Sequence, residues 1–205
     1  MSITTYAELK TEIENWVDDA SITSYVADFV SLAEKRIKRK VRLREMVARS
    51  TAAMPTSDRY LALPSDFVAV KQVQLNTTDL RTLEYVPEDT INLHYTSTAG
   101  EPFYYTITGT EFQFEKIPDS AYTVEITYYQ LSALSDSNTT NEIFPEFSEL
   151  YLHASLVQAF LFVDETDRAD YHEKLYKMYL KEAIEHDEMA KSTEGSLVRR
   201  ADVIE

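Results

Sequence analysis

Cysteine is missing from these 205 residues, glycine occurs 3 times, tryptophan once, and 20 basic residues face 35 acidic ones. Each shortage removes a class of protein. Without Cys there is no disulfide and no thiolate zinc site. Three glycines hardly furnish loops that cradle nucleotide phosphates, and no P-loop, GxGxxG or GxSxG motif occurs. The longest largely apolar run, Ala154 to Val163, is about half a membrane span and contains Ser155 and Gln158, so a buried helix is expected there and no membrane partner. Residues Met1 to Thr5 carry no basic stretch leading into an apolar one, so synthesis in the cytoplasm without export is expected. A formal charge of −15 repels phosphate on average and argues against a nucleic-acid coat. What is present is material for an ordered core, 44% hydrophobic and 12% aromatic residues. A chain of this length buries about 70% of its unfolded surface, enough for one domain or two small ones.

The acidic average hides a reversal. Lys35, Arg36, Lys38, Arg39, Lys40, Arg42, Arg44 and Arg49 stand against the single Glu45, a local balance of +7 that leaves −22 on the rest of the chain. Nucleic-acid phosphate, the acidic helices of a neighbouring copy, and solvent are three competing uses for such a segment. The negative remainder of the same chain favours pairing between copies.

Hydrophobic spacing divides the chain into two helices, a β-rich middle and two more helices. Thr4 or Thr5 with Glu8 at capping-box distance opens a first helix whose apolar stripe is Tyr6, Leu9, Ile13 and Trp16, and Asp18-Asp19 closes it. A second begins near Ser21 or Thr23, carries Val26, Phe29, Val30, Ala33, Ile37 and Val41, and is read as running to about Ala48. The period then changes to two: Tyr60 to Leu63, Phe67 to Leu75, Leu80 to Val86, a hairpin of Phe103 to Lys116 turning at Gly109-Thr110, and Tyr122 to Leu131 read as strands. Pro87-Glu88-Asp89 opens a helical turn. After the polar loop Ser135 to Asn141, a third long helix carries Phe147, Leu150, Tyr151, Ala154, Val157 and Leu161. The fourth, roughly Arg168 to Ala190, carries Tyr171, Leu175, Met178 and Tyr179. The expected fold class is α+β: a helical bundle built from the N- and C-terminal helices with an inserted small β-domain. Residues 1–50 and 133–190 form the discontinuous helical domain, 51–132 the insertion, and 191–205 a mobile C-terminal arm in which Leu197, Val198, Arg199, Arg200 and Ile204 have no evident place to pack.

Chemistry is sparse. Glu149 and His153, like Glu182 and His186, lie one helical turn apart and are read as surface ion pairs, because no third metal ligand is identifiable. His94 and His172 have no evident partner. Neither Glu142, Glu146 nor the Asp164 cluster sits in an apolar context that would make an acid catalyst, so no catalytic residue, metal or cofactor is expected. Tyr104-Tyr105 and Tyr128-Tyr129 are candidates for a base-stacking platform, but in alternating strands one Tyr of each pair faces the core.

The stretches TYAELKTEIENWVDDASI, FVSLAEKRIKRKVRLREM, LPSDFVAVKQVQLN, LEYVPEDTI, EITYYQLSALSDSNTTNEIF and LYLHASLVQAFLF together resemble the adaptor, or head-tail connector, proteins of tailed bacteriophages. LPSDF, LEYVPED and YYQLSALSDSNTTN are the most specific. The resemblance implies a non-enzymatic virion protein in the neck: a homo-oligomeric ring, typically of about twelve copies, docked beneath the portal protein and offering a platform to tail or nozzle proteins. DNA would pass through its channel without specific binding, and synthesis would be in the host cytoplasm. It also implies that the arm residues Leu197, Val198, Arg199, Arg200 and Ile204 grip the portal. Lys35, Arg36, Lys38, Arg39 and Arg42 are the expected subunit or portal contact. The alternative is a DNA-binding regulator using the basic helix 35–49, with a cell-wall-acting virion enzyme as a distant third.

Overall fold

The structure, a computed structural model, describes residues 3–77 and 80–195, with side chains to residue 191. It is α+β, with helices at both ends of the chain, and divides into two compact units. One takes residues up to 46 and from 131 onward; the other is 47–130.

In the helical unit, α1 (Tyr6–Val17) starts with the capping box expected of Thr5 and Glu8 and stops where Asp18 turns left-handed at φ 54°. Tyr6, Leu9, Ile13 and Val17 are buried. Trp16, expected on that stripe, is half in solvent, because the inward line steps four residues from Ile13 to Val17 instead of three. After a short 3₁₀ turn, Ala20–Ile22, α2 (Val26–Lys40) buries Val26, Phe29, Val30, Ala33, Glu34 and Ile37. It does not run to Ala48: Val41 is extended, Arg44–Met46 is a 3₁₀ turn, and strand β1 starts at Val47. The reading of 35–49 as one basic helix is therefore corrected. Beyond Lys40 the buried residues are Val41, Leu43 and Met46, a spacing of two and three that no α-helical face supplies. The Arg42 guanidinium meanwhile donates to the carbonyls of Lys38 and Val41, satisfying acceptors left open at the helix end.

Helix α4 (Ser148–Phe162) is apolar nearly all round and packs against α1, α2 and α5 (Thr166–Gly195). Asp164, at φ 61°, makes the turn between the last two. Helix α5 turns Ala169, His172, Tyr176, Ala183 and Asp187 inward. The expected stripe was rotated, for Tyr171 and Met178 are exposed. The loop before α4 is tied down rather than loose: Asn141 accepts the N–H groups of Ile143 and Phe144 and donates to the Ser132 carbonyl, and the Tyr6 N–H donates to the Thr139 carbonyl.

The β unit holds two four-stranded sheets. In the first, β1 (Val47–Ala53), β8 (Thr123–Gln130), β3 (Phe67–Leu75) and β4 (Arg81–Thr82) are antiparallel in that order. In the second the order is β2 (Tyr60–Ala62), β7 (Glu111–Phe114), β6 (Tyr104–Thr108) and β5 (Glu84–Tyr85), with β5 parallel to β6 across a connection that includes the turn α3 (Glu88–Ile91). Gly109 at φ 62° makes the two-residue turn of the β6–β7 hairpin, a conformation glycine adopts without the penalty of a Cβ. Val73, Leu75, Val124, Ile126 and Tyr128 of one sheet share a core with Tyr105, Phe112 and Phe114 of the other. Strands β1 and β8 pair from Val47↔Tyr129 to Ala53↔Thr123, so the chain enters and leaves this unit on neighbouring strands.

Candidate assembly surfaces

Local structure sorts the basic segment into two groups. Arg36 pairs with Glu173 at 2.6 Å and lies 4.1 Å above the Tyr176 ring. The same contact holds the Glu173 carboxyl below the usual carboxylate range. Arg42 is committed to backbone carbonyls, the Arg44 guanidinium lies 3.6 Å from Glu45 while its backbone N–H donates to Asp187, and Arg49 lies 3.6 Å from Glu125 within the β unit. Lys35, Arg39 and Lys40 are exposed and Lys38 is half-buried; no ion pair joins these four to another group among the described residues. Of the five expected contact residues, Lys35, Lys38 and Arg39 thus face outward from the C-terminal half of α2, whereas Arg36 and Arg42 are spent inside the subunit. Leu32, one turn before Lys35 and Arg36, is 46% exposed on the same outer face. Sequence reading passed over it because an isolated apolar residue on a polar face carries little signal. The arm residues Leu197, Val198, Arg199, Arg200 and Ile204 lie outside the described residues.

A groove of about 460 Å³ opens between the start of α4 and α5. Phe147, Leu150 and Tyr179 line it, with Glu146, Glu149 and Glu182 around them. His186 pairs with Glu146 at 3.9 Å and not, as expected, with Glu182. A neighbouring hollow of about 420 Å³ shares Glu146 and Glu149 and adds Glu12 and Trp16. Helix α2 contributes no residue to either.

His153 and His172 correct two further expectations. Instead of forming a surface pair with Glu149, His153 is buried, and its Nδ1 lies 3.0 Å from the Nδ1 of His172, also buried. One ring must donate and the other accept, so the bond requires one Nδ1 to carry a proton and the other to be bare. The two rings stack at 5.1 Å, with Phe160 stacked on His172 and Trp16 edge-on to both. Burial holds both below the ordinary imidazole range, His172 down to about 4, with the neighbouring His153 and Arg168 adding to its shift. This is a packed pair in the core. Among the described residues no three His, Asp or Glu side chains converge as a metal site requires.

Among the described residues Glu34 is the one carboxylate pushed up to about 7, chiefly by burial and despite the N–H it accepts from Leu134 at 2.8 Å. The sequence carried its signal, since Glu34 falls four residues after Val30 and three before Ile37 on the inward stripe. The tyrosine pairs behave as alternation requires. Tyr105 and Tyr128 are in the core and Tyr104 and Tyr129 are half-buried, so they offer no open row for stacking bases.

Compared with known families, the chain matches the SU10 adaptor protein family over residues 4–200, in agreement with the resemblance read from the sequence. A comparison with curated proteins found no match. The family is one of bacteriophage adaptors, structural components of the virion that contact other head and tail proteins. Among the described residues no helix is long and apolar enough to cross a membrane.

Proposed function

The chain belongs to the SU10 adaptor protein family, and from that premise we propose that it is the subunit of a closed ring in the phage neck, docked beneath the portal and continuing the DNA channel toward the tail. The family match across residues 4–200 is the observation that carries this reading. Two properties of the chain support it. A net charge of −15 lets DNA slide past a wall without being held, since phosphate contacts from Lys and Arg supply most nonspecific affinity. The exposed cations at the end of α2 and the acidic groove give one subunit two different surfaces of opposite sign, which suits head-to-tail assembly. The role is structural and needs no chemical step. The segment with Leu197, Val198, Arg199, Arg200 and Ile204 is assigned to the portal, where apolar side chains and a pair of guanidiniums find partners on another protein. Regulation through a continuous basic helix 35–49 loses its basis, because the helix ends at Lys40 and the side chains of Arg36, Arg42, Arg44 and Arg49 are engaged within the chain.

Light scattering on the full chain, alone and mixed with portal rings, tests this. A mass increment of one ring of copies per portal is expected, and it should be lost when residues 192–205 are deleted while the circular dichroism loses no more than the last turn of α5. Absence of any complex with portals or with DNA-filled heads would overturn the reading.

A further inference from the structure

We propose that the outer face of α2 in one copy seats in the groove between the start of α4 and α5 of the next, making a head-to-tail contact between copies of this chain. The proposal rests on the ring reading and names the surfaces that build it.

The α2 face is a line of Leu32, Lys35 and Arg39, at intervals of three and four residues, with Lys40 beside it. Its apolar member is 46% exposed and its three cations have no ion-pair partner among the described residues. The groove offers the complement: an apolar floor from Phe147 and Tyr179, and carboxylates from Glu146, Glu149 and Glu182 at its edge. The α2 face thus sets Leu32 beside three cations, with the exposed Asp28 one turn before it, and the groove sets its apolar floor among three carboxylates, with His186 beside Glu146, so the prevailing signs are opposite. A volume of about 460 Å³ accommodates a leucine with the stems of a lysine and an arginine.

Placement decides the kind of contact. Helix α2 faces α5 through Arg36, which meets Glu173 and Tyr176, and supplies nothing to the groove, which α5 lines with Tyr179, Glu182 and His186. The two surfaces share no residue, so a copy bound at its groove keeps its α2 face available. Such a contact repeats from copy to copy and closes into a ring where the rotation per subunit allows it, whereas a patch that pairs with itself stops at a dimer. Exposed ion pairs are individually weak, but a ring multiplies each by its number of joints.

Charge reversal in trans tests the contact. The variant Lys35→Glu/Arg39→Glu carries two acidic surfaces, and Glu149→Lys/Glu182→Lys carries two basic ones. Neither should assemble alone, in solution or on heads, while an equal mixture should assemble as the wild type does, because each face then meets a groove of opposite sign. Circular dichroism checks that both variants fold. The absence of Cys permits a second measurement that leaves most of the charge in place. Copies with Arg39→Cys and copies with Glu182→Cys, oxidised together, should cross-link at least about tenfold more than a control pair of Ser24→Cys with Glu182→Cys, since docking raises the local concentration of the two thiols. If wild type assembles but the mixture does not, or the cross-link fails to exceed the control, this contact is wrong and the ring reading stands. A cross-link from Glu182→Cys to Val198→Cys in its place would give the groove to the C-terminal segment and overturn the proposal. Wild type that associates neither with itself nor on heads would remove the ring reading and this contact together.

Discussion

In the β unit the Glu115 carboxylate accepts the N–H groups of Phe103 and Tyr104 at 2.8 and 3.1 Å, and Glu125 accepts the side-chain amides of Gln74 and Asn76. In the helical unit the buried Glu34 accepts one N–H, from Leu134, and the buried rings of His153 and His172 have chiefly each other. The contrast follows from where donors are available. A helix uses its backbone N–H groups internally, so a carboxylate on its buried side finds few, while the start of β6 presents two adjacent N–H groups to one acceptor. Burial is thus compensated at Glu115 and Glu125, as it is at Asp187 of α5, which accepts from the Arg44 N–H and Lys191, and only partly so at Glu34 and the histidine pair. The helical unit should carry the pH dependence of this protein.

The strongest way to break that comparison is to unfold one unit and watch the other. Phe160→Ala, in the middle of α4, should destabilise the helical unit by about 4 kcal/mol and lower the helical signal in urea, while amide protection in 47–130 persists. Phe112→Ala should do the converse. A single shared transition in both variants would mean that the units fold as one. Next in size, Glu115→Ala leaves the Phe103 and Tyr104 N–H groups without their acceptor and should cost the β unit about 3 kcal/mol. A loss of only a few tenths in urea titrations would show that solvent replaces the carboxylate.

Glu34→Gln sharpens the contrast through pH. With its folded value raised from 4.5 to about 7, Glu34 stays protonated in the fold where the unfolded chain has already ionised, so wild type loses stability as pH rises from 4.5 through 7. The amide keeps the acceptor for Leu134 and never ionises. The variant should gain about 2 kcal/mol at pH 8 and close to nothing at pH 4.5, and an equal gain at both would remove ionisation as the cause. His172 works in the opposite direction. Held neutral down to about 4, it lets the unfolded chain bind a proton that the fold refuses, so stability falls as pH drops from 6.5 toward 4. His172→Phe should flatten that slope, gaining about 1 kcal/mol at pH 5 relative to pH 8. Melting temperatures whose pH 5 to pH 8 difference matches wild type would refute it.

The smallest effect concerns backbone access. Residues 92–99 are exposed throughout, whereas 51–53 lie in β1 and 135–141 are bonded into the helical unit. Brief chymotrypsin treatment should cut first after Leu93 or Tyr95. First cuts at 51–57 or 135–141 would show those segments to be looser than their hydrogen bonds require.

Much of this architecture was legible because local rules and tertiary packing agree. The Thr5/Glu8 cap, the Gly109 turn, the alternation that buries Tyr105 and Tyr128, and the apolar α4 were all readable from spacing. The errors fall where one element's end or rotation depends on another. Helix α2 stops eight residues before its expected end because Val41, Leu43 and Met46 serve the core in an irregular segment, a choice that helix propensity does not record. Arg36 looked like its neighbours until Glu173, 137 positions later, met it at 2.6 Å. The face of α5 turned inward by α4 exchanged Tyr171 and Met178 for His172 and Tyr176, and with that exchange came the histidine pair.

The sequence by itself determined the succession of two helices, a β-rich middle and two long helices, the lack of thiols, the sign reversal at Lys35, and the family, since these depend on residue identity and short spacings, but it missed strand β1 and read β4 and β5, which lie in different sheets, as one strand. Only the tertiary structure decided which cations remain outside, which histidines meet, and that Phe147, Tyr179 and three glutamates line one groove. Each of those is a distance between residues far apart in the chain, set by how helices rotate and stack to bury apolar surface, and a one-dimensional pattern holds no measure of it.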